Sequence, residues 1–253
     1  MNSTSQRYQK RVAQFTILSG VLALASFFFL AAGTAFHFEV FSQPEKMLGM
    51  NGADSQYLKW SMVLDMFGYY LLLLPALFYF KNYLKDKTAW GELITWCGSA
   101  YIFLGAMGAA ILSVVCPQLM VAYPISTAAE QTVLAGNFNL MLQLVHGGMW
   151  NTLEILLAGG WWLGIGYTLY RQHAALGITT IVLGLACVVD GFGTITGFKD
   201  LAEVGLNIYL NLAILWALWL GVSLLRTKKV VKITKKMALS TAPQDRSYWS
   251  LVN

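Results

Sequence analysis

The stretch LAEVGLNIYLNLAILWALWLGVSLL at residues 201–225 leads directly into the basic run RTKKVVKITKK at residues 226–236. The first part is long enough to cross a bilayer as a helix, and Glu203 is its only charged residue. The second part places a cluster of cations just after that helix, and membrane proteins keep such clusters in the cytoplasm. Together they predict an integral membrane protein with a cytoplasmic C-terminus.

Five further apolar runs precede this one, so we expect an all-α, polytopic bundle of six transmembrane helices. The predicted spans are residues 12–38, 58–80, 90–115, 146–170, 176–198 and 201–225, followed by a polybasic tail at 227–253. Composition agrees, because 57% of the residues are hydrophobic and only 11% are charged, against about a quarter charged in soluble domains. The segment 124–145 is predicted to be helical, and either lies at the outer interface or extends the fourth span outward. Gly147 and Gly148 would then mark a kink or break.

Lys and Arg residues set the orientation. Only Lys46, Lys59 and Lys199 fall on one side of the predicted spans, and the other fourteen of the 17 basic residues lie in the tails and loops of the opposite side. By the positive-inside rule both termini are cytoplasmic, in a multi-pass protein of the plasma (inner) membrane. The net charge of +5 therefore reflects topology and predicts no nucleic-acid partner. The expected partners are the lipid bilayer and, at the basic tail, anionic lipid.

The first apolar run is preceded by basic residues, as in a signal peptide, but it is longer than a typical signal core. Small residues recur along it at helical spacings, namely Ser19, Ala23, Ser26 and Gly33, with His37 completing the series. A face of small residues is used for close packing of membrane helices. We therefore predict a retained first helix with this face turned to a neighbour.

Ionisable residues within the spans crowd into the outer half of the membrane: His37, Asp65, His146, Glu154, Asp190 and Glu203. All lie within about eight residues of the outer surface, or about 12 Å. Such groups are costly in lipid and tend to face a bundle interior or a wet cavity. Because Lys59, at the outer end of the second span, is the only Lys or Arg within the predicted spans, Asp65 and Asp190 must be neutral, pair with His37 or His146, bind a cation, or be hydrated.

Two polar faces follow from helical spacing. Asn139, Gln143, His146, Trp150 and Glu154 would share one face of a continuous helix, since they are three or four residues apart. Glu203, Asn207 and Asn211 form a stripe descending to about mid-membrane. Each face is either a packing seam held by interhelical hydrogen bonds or one wall of a pocket, and the sequence leaves both interpretations open.

Our leading hypothesis is small-molecule or ion binding or transport through an outward-facing polar pocket. Its predicted members are Asp65, Tyr69, Glu154, Asp190, Glu203, Asn207 and Asn211, with His37 and His146 at the mouth. The alternative is a structural, assembly or sensory protein whose polar residues meet a partner in a homo- or hetero-oligomer. The first hypothesis predicts that the polar residues converge inside the bundle, and the alternative predicts that they lie on its outside.

A second alternative is a membrane-embedded enzyme or a copper-handling protein. Methionines cluster towards the outer side, and thioether sulfur with imidazole suits Cu(I), although methionine also packs well without a metal. The candidate metal ligands are His37, His146, Met62, Met66 and Met149. The sequence contains no familiar soluble-enzyme motif and indicates no particular cofactor, so a non-enzymatic role is favoured. Cys97, Cys116 and Cys187 suggest no disulfide framework.

Residues 146–184 resemble part of a bacterial family of six-helix membrane proteins of unknown function. The resemblance is carried by His146-Gly147-Gly148, Asn151, Glu154, Trp161-Trp162-Leu163, Gly166, Tyr170-Arg171 and Leu176-Gly177. In that family a helix with an early acidic residue and a later Trp-Leu pair ends in a Tyr-Arg-like cytoplasmic turn. The resemblance implies six helices and no established activity.

Overall fold

The computed structural model describes the backbone of residues 3–34, 44–49 and 52–240, and the side chains within 5–34, 46–49 and 54–226. His37 lies outside these residues. Across the described chain every regular element is a helix, as the composition predicts. The α-helices are α1 (Ser3–Gly33), α2 (Pro44–Leu48), α3 (Gly52–Asp65), α4 (Leu74–Leu84), α5 (Gly91–Ala122), α6 (Ala128–Leu142), α7 (Ile155–Tyr170), α8 (Ala174–Thr196) and α9 (Lys199–Ser240).

Within the described residues, five helical stretches are long and apolar enough to cross a membrane: Ser5–Gly33, Asp54–Leu84, Gly91–Ile125, Ala174–Thr196 and Lys199–Arg226. The fourth predicted span, residues 146–170, is not among them. Its α-helical part, α7, has 16 residues, short of the roughly 20 that a bilayer needs. The residues before α7 are a mixture of polar and apolar types and lie in a π-helix. The count of six spans therefore stays a prediction.

The segment before the fourth predicted span is continuous with it. Helix α6 begins at a capping box in which the Thr127 side chain accepts from the backbone N–H of Glu130 and the Glu130 side chain accepts from that of Thr127. It runs without a break into a π-helix at Gln143–Glu154 and then into α7. Gly147 and Gly148 lie inside the π-helix, so the helix changes its hydrogen-bond pattern there and does not break.

The long helices form a closed ring. Helix α1 packs against α3, α3 against α5, α5 against α7, α7 against α8, α8 against α9, and α9 returns to α1. The interior is filled by fully buried aromatic rings. The Trp162 ring centroid lies 4.4 Å from that of Trp161, to which it is tilted, and 4.4 Å from that of Trp216, which it meets edge to face, and Tyr101 stacks on Trp161 at 5.5 Å. Trp216 Nε1 donates to Thr180 Oγ1 at 2.8 Å. The ring therefore has a solid aromatic core rather than an open pore.

The small-residue face of α1 packs as predicted. Ser19, Ala23 and Ser26 are buried, and the Ser19 hydroxyl donates to the carbonyl of Gly68. A Cβ at Gly68 would lie 2.3 Å from the backbone nitrogen of Ala23, so only glycine allows this approach. The prediction is confirmed for these residues of α1, and it also fixes the chain just after Asp65 against a neighbouring helix.

Candidate functional site

Two helices change from α-helical to π-helical hydrogen bonding, and each change carries a carboxylate. Asp65 is the last residue of α3 and directly precedes a π-turn at Met66–Tyr70. Glu154 is the last residue of the longer π-helix, Gln143–Glu154. Segments of π-helix are rare and occur frequently at functional sites. The two π-helical segments therefore indicate a candidate functional site near Asp65 and Glu154.

The local sequence explains the first irregularity. After the π-turn, one turn of 3₁₀-helix at Leu71–Leu73 leads into α4. Pro75 is near the start of α4 and has no N–H to give to the carbonyl four residues earlier. Gly68 lets α1 approach closely at the same level. An ordinary α-helical turn is therefore not maintained between Asp65 and Pro75.

A cavity of about 160 Å³ lies between these two segments, α1 and α9. Four of the predicted site residues line it: Asp65, Tyr69, His146 and Glu154. The remaining lining residues are Ser26, Phe27, Leu30, Ser61, Met62, Tyr70, Trp150, Asn151, Ile155, Leu206, Tyr209 and Leu210. The wall is thus made largely of aromatic and aliphatic side chains around two carboxylates.

Most hydrogen-bond donors of the wall are already used by the protein. Ser26 and Ser61 each donate to the other's backbone carbonyl at 3.0 Å. Tyr69 donates its hydroxyl to the carbonyl of Leu210 at 3.1 Å, and Trp150 Nε1 donates to the carbonyl of Gly105 at 3.2 Å. A ligand in the cavity would therefore meet the remaining donors of Tyr70, His146 and Asn151.

The carboxylates of the wall, in contrast, have oxygens without hydrogen-bond partners. Asp65 Oδ2 and Glu154 Oε1 are buried and have no hydrogen-bond partner. Glu154 is only 2% exposed, and it lies within electrostatic range of Asp65. No Lys or Arg is among the described residues that line the cavity. A buried carboxylate without a partner costs several kcal/mol if it is charged, so the cavity favours a proton, a cation or a donor-rich ligand.

Asp190 forms a third, more deeply enclosed carboxylate beside this cavity. It is fully buried on α8, it accepts a long 3.4 Å hydrogen bond from Thr194 Oγ1, and its Oδ2 has no partner. The carboxyl groups of Glu154 and Asp190 are close enough to interact electrostatically. Gly205 lets α9 cover it, because a Cβ there would be 2.5 Å from the Asp190 nitrogen. Asp190 does not line the cavity.

The α9 stripe lies elsewhere. Glu203, Asn207 and Asn211 are exposed on the outside of the ring, and none of them lines the cavity. Asn207 Nδ2 donates to the Glu203 carbonyl at 2.9 Å and Asn211 Nδ2 to the Asn207 carbonyl at 2.8 Å. These predicted pocket members are therefore satisfied in part by their own helix and turned to the surroundings.

The other polar face is divided. Asn139 and Gln143 are exposed and stay out of the cavity, whereas Trp150 and Glu154 line it. His146 is exposed at its edge, with its ring 4.8 Å from that of Trp150. The π-helix accounts for the division, since its wider turn changes which residues stand above one another after Gln143.

The candidate metal ligands do not assemble among the described residues. Met62 and His146 line the cavity, whereas Met66 and Met149 do not. No three His, Cys, Asp or Glu side chains of the described chain lie close enough together to hold a metal ion. His37, the remaining candidate, is outside the described residues.

Sequence reasoning missed several members of the cavity wall. Tyr70, Tyr209 and the Ser26–Ser61 pair line it although none was predicted as a site residue. Ser26 could have been predicted, because it belongs to the small-residue face of α1. Tyr209 could not, because it lies on the opposite side of α9 from the polar stripe of Glu203, Asn207 and Asn211.

Comparison of the chain with protein-family models, curated proteins and solved structures finds no match. The resemblance of residues 146–184 to a six-helix family therefore stays a prediction, and the site is interpreted from its own chemistry.

Proposed function

We propose that this protein is a six-span protein of the plasma membrane that binds a small cation, inorganic or organic, in an outward-facing pocket, as the first step of transport or sensing. The observation that carries the proposal is the pair of buried, unpartnered carboxylate oxygens of Asp65 and Glu154 facing one cavity. Both termini are proposed to lie in the cytoplasm.

The ring arrangement supports a sixth crossing. Helix α7 packs between α5 and α8, each of which is long and apolar enough to span. The chain turns at Tyr123–Ile125 after α5 and again at 171–173 before α8. The π-helix of 12 residues and α7 of 16 residues together exceed the length that a crossing needs. An even number of crossings agrees with the distribution of Lys and Arg.

A cation fits the cavity better than an anion or an apolar molecule. The buried polar atoms of the wall without a partner belong to two carboxylates, whose negative charges would repel one another. A bound cation would offset that repulsion and the cost of burial. Tyr69, Tyr70 and Trp150 add aromatic surface to the wall, and ring faces attract organic ammonium groups. The volume of about 160 Å³ limits the ligand to an ion with a few waters or a small amine.

The test is the thermal stability of the detergent-purified protein with sodium, ammonium, methylammonium, magnesium or calcium chloride, against N-methyl-D-glucamine chloride, whose cation is too large for the cavity, at equal ionic strength. A ligand that binds only the folded protein at 100 times its Kd adds about 2.7 kcal/mol of stability. We expect at least one salt to raise Tm in the unmodified protein. The double variant Asp65→Asn, Glu154→Gln should lose that rise.

Glu203→Gln is the matched control, because it removes a carboxylate in the same half of the membrane but outside the cavity. It should keep the full rise in Tm. An equal rise in the double variant would contradict the proposal, and so would the absence of any salt-specific rise in the unmodified protein.

A further inference from the structure

The outer face of α9 carries a regular apolar stripe with one amide at its centre. Its residues are separated alternately by three and four positions, and Leu218 of the same series packs against Gly20 of α1. The exposed members of the stripe are Leu201, Val204, Ile208, Asn211, Leu215, Val222 and Leu225. This spacing keeps a seam of contact in register along two helices.

Asn211 is out of place on a surface that meets lipid. It lies 12 residues after Lys199 along α9, which is about 18 Å and therefore near the middle of a hydrocarbon core of roughly 30 Å. Its one hydrogen bond inside the chain is the donation to the Asn207 carbonyl. The Oδ1 acceptor and the second N–H have no partner there, and unsatisfied amides in hydrocarbon are costly.

We propose that α9 pairs with α9 of a second copy in a parallel, two-fold symmetric dimer, with Asn211 opposite Asn211. Copies of one chain enter a membrane in the same orientation, so a two-fold axis along the membrane normal brings each residue opposite itself at equal depth. A carboxamide both donates and accepts, so it is its own complement at such an axis. One amide within an apolar seam also fixes the register of the pair.

The neighbouring polar residues fit this arrangement. Asn207 lies beside the seam one turn towards the outer surface, where its amide can reach across. Glu203 lies one position off the seam near the outer end of α9, so two Glu203 carboxylates can remain hydrated on opposite sides. The exposed position of the stripe is therefore explained without a ligand, and this inference does not depend on the cavity.

The first test is cysteine cross-linking in native membranes. Ile208→Cys and Leu215→Cys flank Asn211 on the seam. Phe103 is 69% exposed on α5, against 43% for Ile208 and 61% for Leu215, so Phe103→Cys serves as the control on a different exposed face. We expect an oxidant to link the first two into dimers and to leave Phe103→Cys at the level of the unmodified chain. That level measures any contribution of the natural cysteines, of which Cys116 and Cys187 are buried. Equal linking of all three variants would overturn the proposal.

The second test asks whether the amide holds the dimer. In liposomes, single-molecule photobleaching of labelled protein gives the dimer fraction as a function of protein density. Asn211→Leu should weaken dimerisation about tenfold, as expected for interhelical hydrogen bonds in membranes, and Asn211→Gln should restore most of it. A monomeric unmodified protein, or an Asn211→Leu dimer as tight as the original, would overturn the proposal. Unchanged thermal stability of Asn211→Leu in detergent confirms that the variant folds.

Discussion

The wall of the cavity and the outer face of α9 carry similar polar residues at similar depth, yet they satisfy them differently. In the wall, Ser26 and Ser61 bond across from α1 to α3 and Trp150 reaches the backbone of α5. On α9, Asn207 and Asn211 bond only to their own helix. Polar residues four apart therefore define a shared face of a helix, but they do not reveal whether that face meets a cavity, another helix or another molecule.

The two regions also differ in what their polar groups still lack. Several donors of the wall are used within the protein, and carboxylate oxygens there are unpartnered, which favours a positive charge or a proton. The α9 face has amides that can both donate and accept, which favours another amide. The two proposed sites therefore differ in ligand chemistry.

The largest effect is expected from a change that breaks the wall without touching its polar atoms. A Cβ at Gly105 of α5 would lie 1.8 Å from the Tyr70 ring, which lines the cavity. Gly105→Ala must displace that ring, so we expect a loss of about 3 kcal/mol of unfolding free energy together with loss of the cation response. Denaturant unfolding in detergent micelles measures the first and the Tm shift the second.

Gly147→Ala is the matched control for Gly105→Ala. A Cβ at Gly147 meets no atom within 4 Å, and alanine in place of glycine within a helix gains at most about 1 kcal/mol. If Gly105→Ala were as stable as Gly147→Ala, the packing of Tyr70 against α5 would be wrong.

A smaller effect separates bonds between helices from bonds within one. Ser26→Ala, Ser61→Ala and the double variant form a thermodynamic cycle across the α1–α3 contact, and we expect a coupling of about 0.6–1.7 kcal/mol between the two serines. Asn207→Ala removes an amide whose bond lies within α9, so the same unfolding measurement in detergent should change little. Zero coupling in the serine cycle would show that the hydrogen bonds between α1 and α3 contribute no more to stability than the bonds within α9.

Much of the fold follows from sequence because span length and apolar composition are local properties. The helical class, the packing face of α1 and the helical nature of 128–145 all come from residue spacing. The π-helices at Met66–Tyr70 and Gln143–Glu154 do not, because a change of hydrogen-bond pattern is not encoded in residue spacing. A fixed period of 3.6 places Asn139 and Gln143 on one face with Trp150 and Glu154, whereas only the latter two of these four line the cavity.

The candidate site, like the fold, was predictable only in part. Asp65, Tyr69, His146 and Glu154 were predicted from type and depth, and they line one cavity. Glu203, Asn207 and Asn211 met the same criteria but lie outside the ring, because the side of α9 that faces inward is decided by Gly205 and Gly221 approaching α8 and α1. The depth and polarity of a residue can be read from the sequence of its own helix, whereas the face that turns inward depends on contacts with neighbouring helices.

The smallest predicted effect concerns the outer start of α6, which lies between the two regions in the chain and belongs to neither. The backbone N–H and the hydroxyl of Thr127 both donate to Glu130 Oε2 at 2.8 Å, and these hydrogen bonds lower the pKa of Glu130 below its usual value. A lowered pKa means that the stabilisation is complete at neutral pH and is lost as the pH falls through the lowered value.

The Tm of the unmodified protein should therefore fall slightly more between pH 6 and pH 3 than the Tm of Glu130→Gln does. Thr127→Ala should shrink that difference, because the donors that favour the charged carboxylate are reduced to one. A Glu130→Gln protein with the same acid sensitivity as the original would show that the capping box does not contribute to folding stability.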